Sequence, residues 1–562
     1  MSVEASLCKF PFSLSAADLA WVRRARDGMT TAQKIRQLFV HVSLGHSMDD
    51  SHRLAALSPG GVHRFMSNNL EAAWKSTRSF IEQCEIPPFI TGDFEGGGNH
   101  SSCMTAFTNQ LGLAAANDPK LSEAVVTAMA AEAAALGFNW TFTPCVDINK
   151  NTGSAIVGTR SYGSDLKTIL QQAVIHMGNM QARGIACAAK HWPGEGLDWR
   201  DQHLVTTNNP LTMADWHQSF GHIYKSLIDG GLLSVMSAHI ALPEYMAAKG
   251  VAEGLERYRP ASISKHLNFD LLRDELSFNG LIVSDATPMA GLGSFDARAT
   301  IVPQVIENGC DVFLFCTDEE ADIAHMEAGL RSGALSAQRL EDAVTRILGM
   351  KAALGLHRKS LDQRILPLEK VRQIVGSHKH VAISHEAASQ SVTLVKDTQK
   401  LLPLNPAKHR RICWISQGAP GFLPGMPSRQ MDDLRNSLNA RGFEVTDYNP
   451  DFPPTSDTSD VVIYVMAEES SLGKSRIFLN WQTHQPGLGN MMTRYWHDVP
   501  TLLVSFGHPY YLQNVPRIPT CINAYSTVPD AQRAVAERLV GNAPFTGASP
   551  VDAFAGAPDA RY

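Results

Sequence analysis

The strongest constraint on the fold is an alternation repeated along the first two thirds of the chain. Short apolar runs occur at 37–43, 61–65, 88–93, 140–147, 186–191, 233–240, 280–285 and 311–316. They are apolar throughout rather than at every second residue, the pattern of strands buried on both faces of a parallel sheet. Between them, 121–136, 167–183, 216–229 and 265–276 carry apolar residues at helical spacing, as does 17–36 behind a capping Ser15. Eight strands alternating with helices predict an α/β fold, a (β/α)8 barrel. The amphipathic stretch 337–354 stops at Gly355, so the barrel is expected over residues 1–355. Residues 356–376 read as a linker, and 377–562 as a smaller α/β sandwich domain. The sandwich has strand candidates at 411–416, 461–466 and 501–507 and helix candidates at 432–441 and 531–540. The last twenty residues, rich in Gly, Pro and Ala, read as extended and partly loose.

Composition excludes several classes. With 44% hydrophobic and 19% charged residues the chain is neither disordered nor a coiled coil. A net charge of −6 argues against an electrostatic grip on nucleic acid or anionic membrane. The 9 cysteines are scattered without a CxxC pair, which fits neither a disulfide framework nor a zinc ribbon. The histidines show no HExxH spacing, so neither a metal nor another cofactor is expected. No run of 18 apolar residues occurs, and the first residues lack a basic region followed by an apolar core. A soluble cytoplasmic enzyme is the expectation.

Polar residues close the apolar runs: Asp93, Asp147, Lys190 with His191, His239 and Asp285. In a (β/α)8 barrel the strand C-termini share one face, where chemistry sits. Any one of these could be a turn or helix-cap residue; five together point to a site. Lys190 and His191 open a Pro/Gly-rich loop and can donate hydrogen bonds to sugar hydroxyls. Asp201 and His203, two apart, share one side of an extended segment. A carboxylate beside an imidazole fixes its tautomer and raises its basicity, as a proton-transfer catalyst needs; elsewhere the same pair is an ordinary surface contact. Asp285 could attack an electrophilic carbon or steady a developing cation, or it could cap the next helix. Asp93, ahead of Glu95-Gly96-Gly97-Gly98, could hold two vicinal hydroxyls. Arg160, in Gly158–Gly163 after Asp147-Ile148-Asn149, reads as a substrate clamp or as an anchor for a nearby carboxylate.

These blocks, in this order and spacing, resemble glycoside hydrolase family 3. The matching residues are Asp93–Gly97, Asp147–Asn149 with Gly158–Gly163, Lys190–Gly196 and Ser284-Asp285. Val392–Asp397 and Leu401–Leu404 look like the start of the family's second domain. The family has two acid/base solutions, a second-domain glutamate or a loop histidine preceded by an aspartate. Asp201 and His203 lie eleven and thirteen residues after Lys190, which is similar to the second, β-N-acetylglucosaminidase group. The resemblance implies Asp285 as nucleophile, His203 as acid/base, Asp201 as its partner, and Asp93, Arg160, Lys190 and His191 as sugar-binding residues. Two positions depart from the pattern: Gly98 replaces an arginine, and Glu195 replaces the second histidine of the Lys-His loop.

The implied activity is a retaining exo-β-N-acetylhexosaminidase that acts on chitooligosaccharides or cell-wall fragments, with small carbohydrates as its partners. A glycoside phosphorylase stays open, because a non-anionic acid/base repels phosphate less than a glutamate would. So does a β-glucosidase using Glu468 or Glu469, residues that otherwise read as solvated loop charges. A non-catalytic sugar-binding protein has no need of Asp285, Asp201 or His203. The polar, aromatic stretch 473–481 could reach a neighbour's active site in a homodimer, although a surface loop is the simpler reading.

Overall fold

The computed structural model describes residues 2–66, 68–97, 103–418 and 430–562. Eight parallel strands form the first sheet: β1 (Phe39–Leu44), β2 (Gly61–Phe65), β3 (Phe89–Gly92), β4 (Trp140–Thr141), β5 (Ala186–Trp192), β6 (Ser234–Ser237), β7 (Leu281–Ser284) and β8 (Phe313–Leu314). β1 pairs with β8 through Phe39↔Phe313 and Val40↔Leu314, and Val283 in β7 bridges Val312 just ahead of β8. The sheet therefore closes on itself, as the alternation predicts. Buried aromatic side chains pack edge-to-face across neighbouring strands, Phe39 with Phe313 at 5.2 Å and Phe89 with Trp140 at 4.9 Å.

Several elements are shorter or more broken than their periodicity suggests. β4 stops at Thr141 because Pro144, lacking an N–H, cannot continue the ladder; pairing resumes as a single bridge, Cys145 to Lys190. The stretch 17–36 is two helices, Ala16–Gly28 and Thr31–Gln37, because Thr30 and Gln33 form a second capping box. The stretch 216–229 likewise breaks at Ser219, between helices Met213–Gln218 and Phe220–Asp229.

Residues 356–376 carry two short helices, Leu361–Arg364 and Leu368–Ile374, laid against the barrel. There Trp74 Nε1 donates to the Leu366 carbonyl at 2.7 Å and Ile365 is fully buried. A second sheet follows, made of β9 (Thr393–Asp397), β10 (Arg411–Gln417), β11 (Glu444–Asp447), β12 (Val461–Met466), β13 (Thr501–Ser505) and β14 (Thr520–Asn523). Its order is β9-β14-β13-β12-β10-β11, parallel except for β9. Alternate residues of β12 serve two cores: Val461, Ile463 and Val465 face one, Val462, Tyr464 and Met466 the other. The C-terminal residues, expected to be loose, are pinned instead. Lys396 Nζ donates to the carbonyls of Pro516 and Ala560 at 2.7 and 2.6 Å, and Val551, Ala553 and Ala560 are buried.

Candidate active site

The strands deliver the polar residues to one end of the barrel. Asp93 follows β3, Lys190 and His191 lie near the end of β5, and Asp285 follows β7. Lys190 Nζ reaches Asp93 Oδ1 at 2.8 Å and Glu95 Oε1 at 2.6 Å. Arg160 grips Glu95 with a fork, Nε to Oε2 at 2.9 Å and Nη2 to Oε1 at 3.0 Å. Burial pushes the Glu95 carboxyl up, but the cations of Arg160 and Lys190 outweigh it and hold it well below the usual range. Burial also works against the charge on Lys190, which Asp93 and Glu95 more than restore. These partners fix both cations in place and ionised.

His191 stands between Arg160 and Asp147. Arg160 Nη2 lies 3.2 Å from His191 Nε2, and His191 Nδ1 lies 2.6 Å from Asp147 Oδ2. A guanidinium can only donate, so His191 accepts at Nε2 and carries its proton on Nδ1, toward Asp147. Cys145 Sγ, Asp147 and His191 cluster within 4.8 Å, all buried. The thiol donates to Asp147 Oδ2 at 3.1 Å, and burial first, then the Asp147 charge, raise its pKa well above the usual range. A neutral thiol and a protonated Nδ1 aimed at the carboxylate make a hydrogen-bond network rather than a set of metal donors.

Asp201 and His203 are joined at 2.7 Å between Oδ1 and Nδ1, and the His203 N–H donates to the same oxygen at 2.9 Å. The second Asp201 oxygen accepts the backbone N–H of Gly473 at 2.9 Å. Burial pushes the Asp201 carboxyl up; the bonds from His203 and Gly473 outweigh that and leave it below the usual range. Asp285 Oδ1 accepts the Ala286 N–H at 2.7 Å, while its buried Oδ2 has no hydrogen-bond partner among the described residues. Burial raises the Asp285 carboxyl too, but the imidazoles of His191, His239 and His203 and the Ala286 N–H bond outweigh it, so it is held below the usual range.

A cavity of about 260 Å³ gathers Asp93, Arg160, Lys190, His191, His203 and Asp285 on its wall, with Glu95 and the apolar Phe65, Phe142, Phe315 and Leu472. Asp201 stands behind His203. All seven residues expected from the sequence thus belong to one constellation, and Gly98 lies outside the described residues. Glu95 and Asp147 were not assigned roles from sequence: Glu95 stands in a glycine-rich stretch with no pattern of its own, and Asp147, though it closes an apolar run, does not show its partner there. The segment 470–473, which runs into the stretch 473–481, packs on the barrel of its own chain. Ser470 and Thr159 exchange two bonds of 2.9 Å, Oγ accepting from N in each direction, and Ser471 and Leu472 line the cavity. Glu468 is engaged by Gln417 and Lys474, and Glu469 by Asn109 and Thr527. Neither is among the residues lining the cavity.

Known proteins are similar to this chain in sequence and in fold. Residues 30–350 match the glycosyl hydrolase family 3 N-terminal domain. A β-N-acetylglucosaminidase/β-glucosidase of Cellulomonas fimi is 36% identical over 561 residues, covering 97% of this chain and 98% of that protein. A β-hexosaminidase of Vibrio cholerae is 29% identical over 49% of this chain and 81% of its own length. The solved structure of a β-glucoside phosphorylase bound to 2FGlc superposes with a TM-score of 0.91 at 32% identity, covering 98% of this chain and 100% of that one. A family 3 β-N-acetylglucosaminidase from Paenibacillus sp. shares the fold, with a TM-score of 0.78 at 22% identity, 94% of this chain and 100% of that one covered. A closed barrel with its polar strand ends in one cavity, a second α/β sheet packed beside it, and sequence similarity along nearly the full length place this chain in glycosyl hydrolase family 3.

Proposed function

We propose that the protein is a retaining, exo-acting β-N-acetylhexosaminidase that removes terminal β-N-acetylglucosamine from chitooligosaccharides or cell-wall fragments. The observation that carries this reading is the Asp201–His203 pair, joined at 2.7 Å, with His203 on the cavity that also holds Asp285. Asp285 attacks the anomeric carbon through its unpartnered Oδ2 as the glycosidic bond breaks, and a glycosyl-enzyme forms. His203 gives its proton to the departing oxygen. In the second step it takes a proton from water, whose oxygen displaces Asp285. Asp201, engaged at Nδ1, leaves Nε2 for that traffic. Asp93, Lys190, His191 and Arg160 hold the ring hydroxyls, and the cavity has room for one sugar unit rather than a chain, which supports exo action. The barrel, residues 1–355, carries the chemistry. The nine cysteines are all free thiols, which supports a reducing, cytoplasmic setting.

A second reading is favoured by one observation: the full-length structural neighbour at 32% identity is named a β-glucoside phosphorylase. In that reading phosphate replaces water as the group that displaces Asp285. One experiment addresses both. The protein is incubated with p-nitrophenyl β-N-acetylglucosaminide and with the β-glucoside, each with and without phosphate, and the sugar product is identified. The expected result is a preference for the N-acetylglucosaminide by about tenfold or more in kcat/KM, roughly 1.4 kcal/mol, with free sugar as product. Equal or reversed preference removes the hexosaminidase reading; a sugar phosphate as main product replaces hydrolysis with phosphorolysis.

A further inference from the structure

Glu195 occupies the position at which this chain departs from the family's Lys-His loop, and its surroundings are unusual for a carboxyl group. The side chain is 1% exposed. It faces Asp147, Asp201 and Asp285, with Arg160 as the cation nearby. His191 Nδ1 is 3.8 Å away but directs its proton to Asp147. Burial, followed by the charges of Asp147 and Asp201, raises the Glu195 pKa well above the usual range.

The bond Glu195 does make is informative. Its Oε2 accepts from Gln202 Nε2 at 3.1 Å, and its own backbone N–H is tied to Asp147 Oδ1 at 2.8 Å. Gln202 is fully buried and lies between the two members of the acid/base pair. Its Oε1 in turn accepts the His239 N–H at 3.0 Å. On the other side of this segment, Ala290 N donates to the His203 carbonyl at 3.0 Å. A Cβ on Gly291 would fall 2.1 Å from the Gln202 carbonyl oxygen, so the segment lies hard against that wall. The loop bearing Asp201 and His203 is thus held from both sides, and Glu195 supplies the inner hold.

We propose that Glu195 is a positioning residue which, through Gln202, sets where Asp201 and His203 stand relative to Asp285. The proposal rests on His203 being the acid/base. Glu195 exchanges no proton with substrate; it contributes an acceptor at a fixed point on the β5 loop.

The test uses the full chain and reads kcat/KM, which reports glycosylation, on two substrates. One is a dinitrophenyl N-acetylglucosaminide, whose leaving group needs no proton; the other is an N-acetylglucosamine disaccharide, whose leaving group does. Glu195→Ala should lower kcat/KM by about tenfold or more on the disaccharide and by less than about threefold on the dinitrophenyl glycoside. Glu195→Gln, which keeps an oxygen for Gln202, should recover most of the loss. Gln202→Ala cuts the same bond from the other end and carries the test if Glu195→Ala folds poorly. In the double variant Glu195→Ala/Gln202→Ala the losses should not multiply. Equal losses on both substrates, multiplying losses, or a Glu195→Gln variant as poor as Glu195→Ala would each overturn the proposal. His203→Ala is measured alongside: if it lacks the same leaving-group dependence, the acid/base assignment itself has failed, and that failure is distinct from failure of the latch.

Discussion

The tasks proposed for Asp285 and His203 differ, and substitution separates them. Asp285→Ala should abolish turnover on every substrate, because no covalent intermediate can form. His203→Ala should spare glycosylation by a dinitrophenyl glycoside but slow it on a sugar leaving group by about 10²–10⁴-fold. Its second step then lacks a base, so mass spectrometry should find accumulated glycosyl-enzyme, and azide should release it as a β-glycosyl azide. Asp201→Ala should be a milder His203→Ala, since it removes orientation and basicity only. Full activity of His203→Ala on oligosaccharides would place the acid elsewhere. The positions of these residues were legible because each closes an apolar run or sits at a fixed distance from one that does, and their expected roles came from the family resemblance. The roles of Glu95, Asp147 and Glu195 were not legible, although Asp147 also closes a run and Glu195 stood out as a departure from the pattern. Their importance comes from partners far along the chain, Arg160 for Glu95 and His191 for Asp147, and spacing along a sequence carries no such pairing.

At the scale of elements, the two halves approach each other closely at Gly158. A Cβ there would meet Ser470 Oγ at 2.0 Å. Gly158→Ala should displace the Ser470 hydroxyl from the Thr159 N–H, loosen segment 470–473 and weaken the Gly473 bond to Asp201. A hydrogen bond to a charged group contributes about 1.5–3 kcal/mol, so kcat/KM on a sugar leaving group should fall about tenfold or more. Adding Ser470→Ala removes the obstructing hydroxyl, and the double variant should be more active than Gly158→Ala alone. If the second change makes matters worse, the clash is not what positions the segment. Among the elements themselves, all eight barrel strands were legible, since strands buried on both faces leave continuous apolar runs. The second sheet was legible only in its middle: β11, with Glu444 and Asp447 exposed at its ends, and β14, four residues long, lack such a run. Helix breaks at Thr30 and Ser219 were hidden because a cap inside a periodic stretch does not disturb the periodicity.

At the scale of the whole molecule, Lys351 is a buried cation at no proposed site. Its ammonium lies 5.1 Å from the Phe89 ring centroid and donates to Gln37 Oε1 at 2.7 Å. Burial depresses its pKa to about 7. Between about pH 7 and pH 10 the unfolded chain holds a proton there that the folded chain has released, so this residue makes stability rise with pH across that window. Lys351→Met should flatten the rise, and comparing Tm against pH for the two proteins checks it; parallel curves would refute the assignment. The division into a barrel and a sandwich was legible from the alternation, but the docking of one on the other was not, because it depends on backbone groups such as the Gly473 N–H that no residue type announces. That contact has a practical meaning. The Gly473 amide of one lobe ends on Asp201 of the other; with His203 as the proposed proton donor, turnover should double as a gauge of whether the lobes are seated. Mild urea that parts them should silence cleavage of oligosaccharides while circular dichroism still reports two folded lobes, and dinitrophenyl glycosides should be the last substrates to lose their reaction.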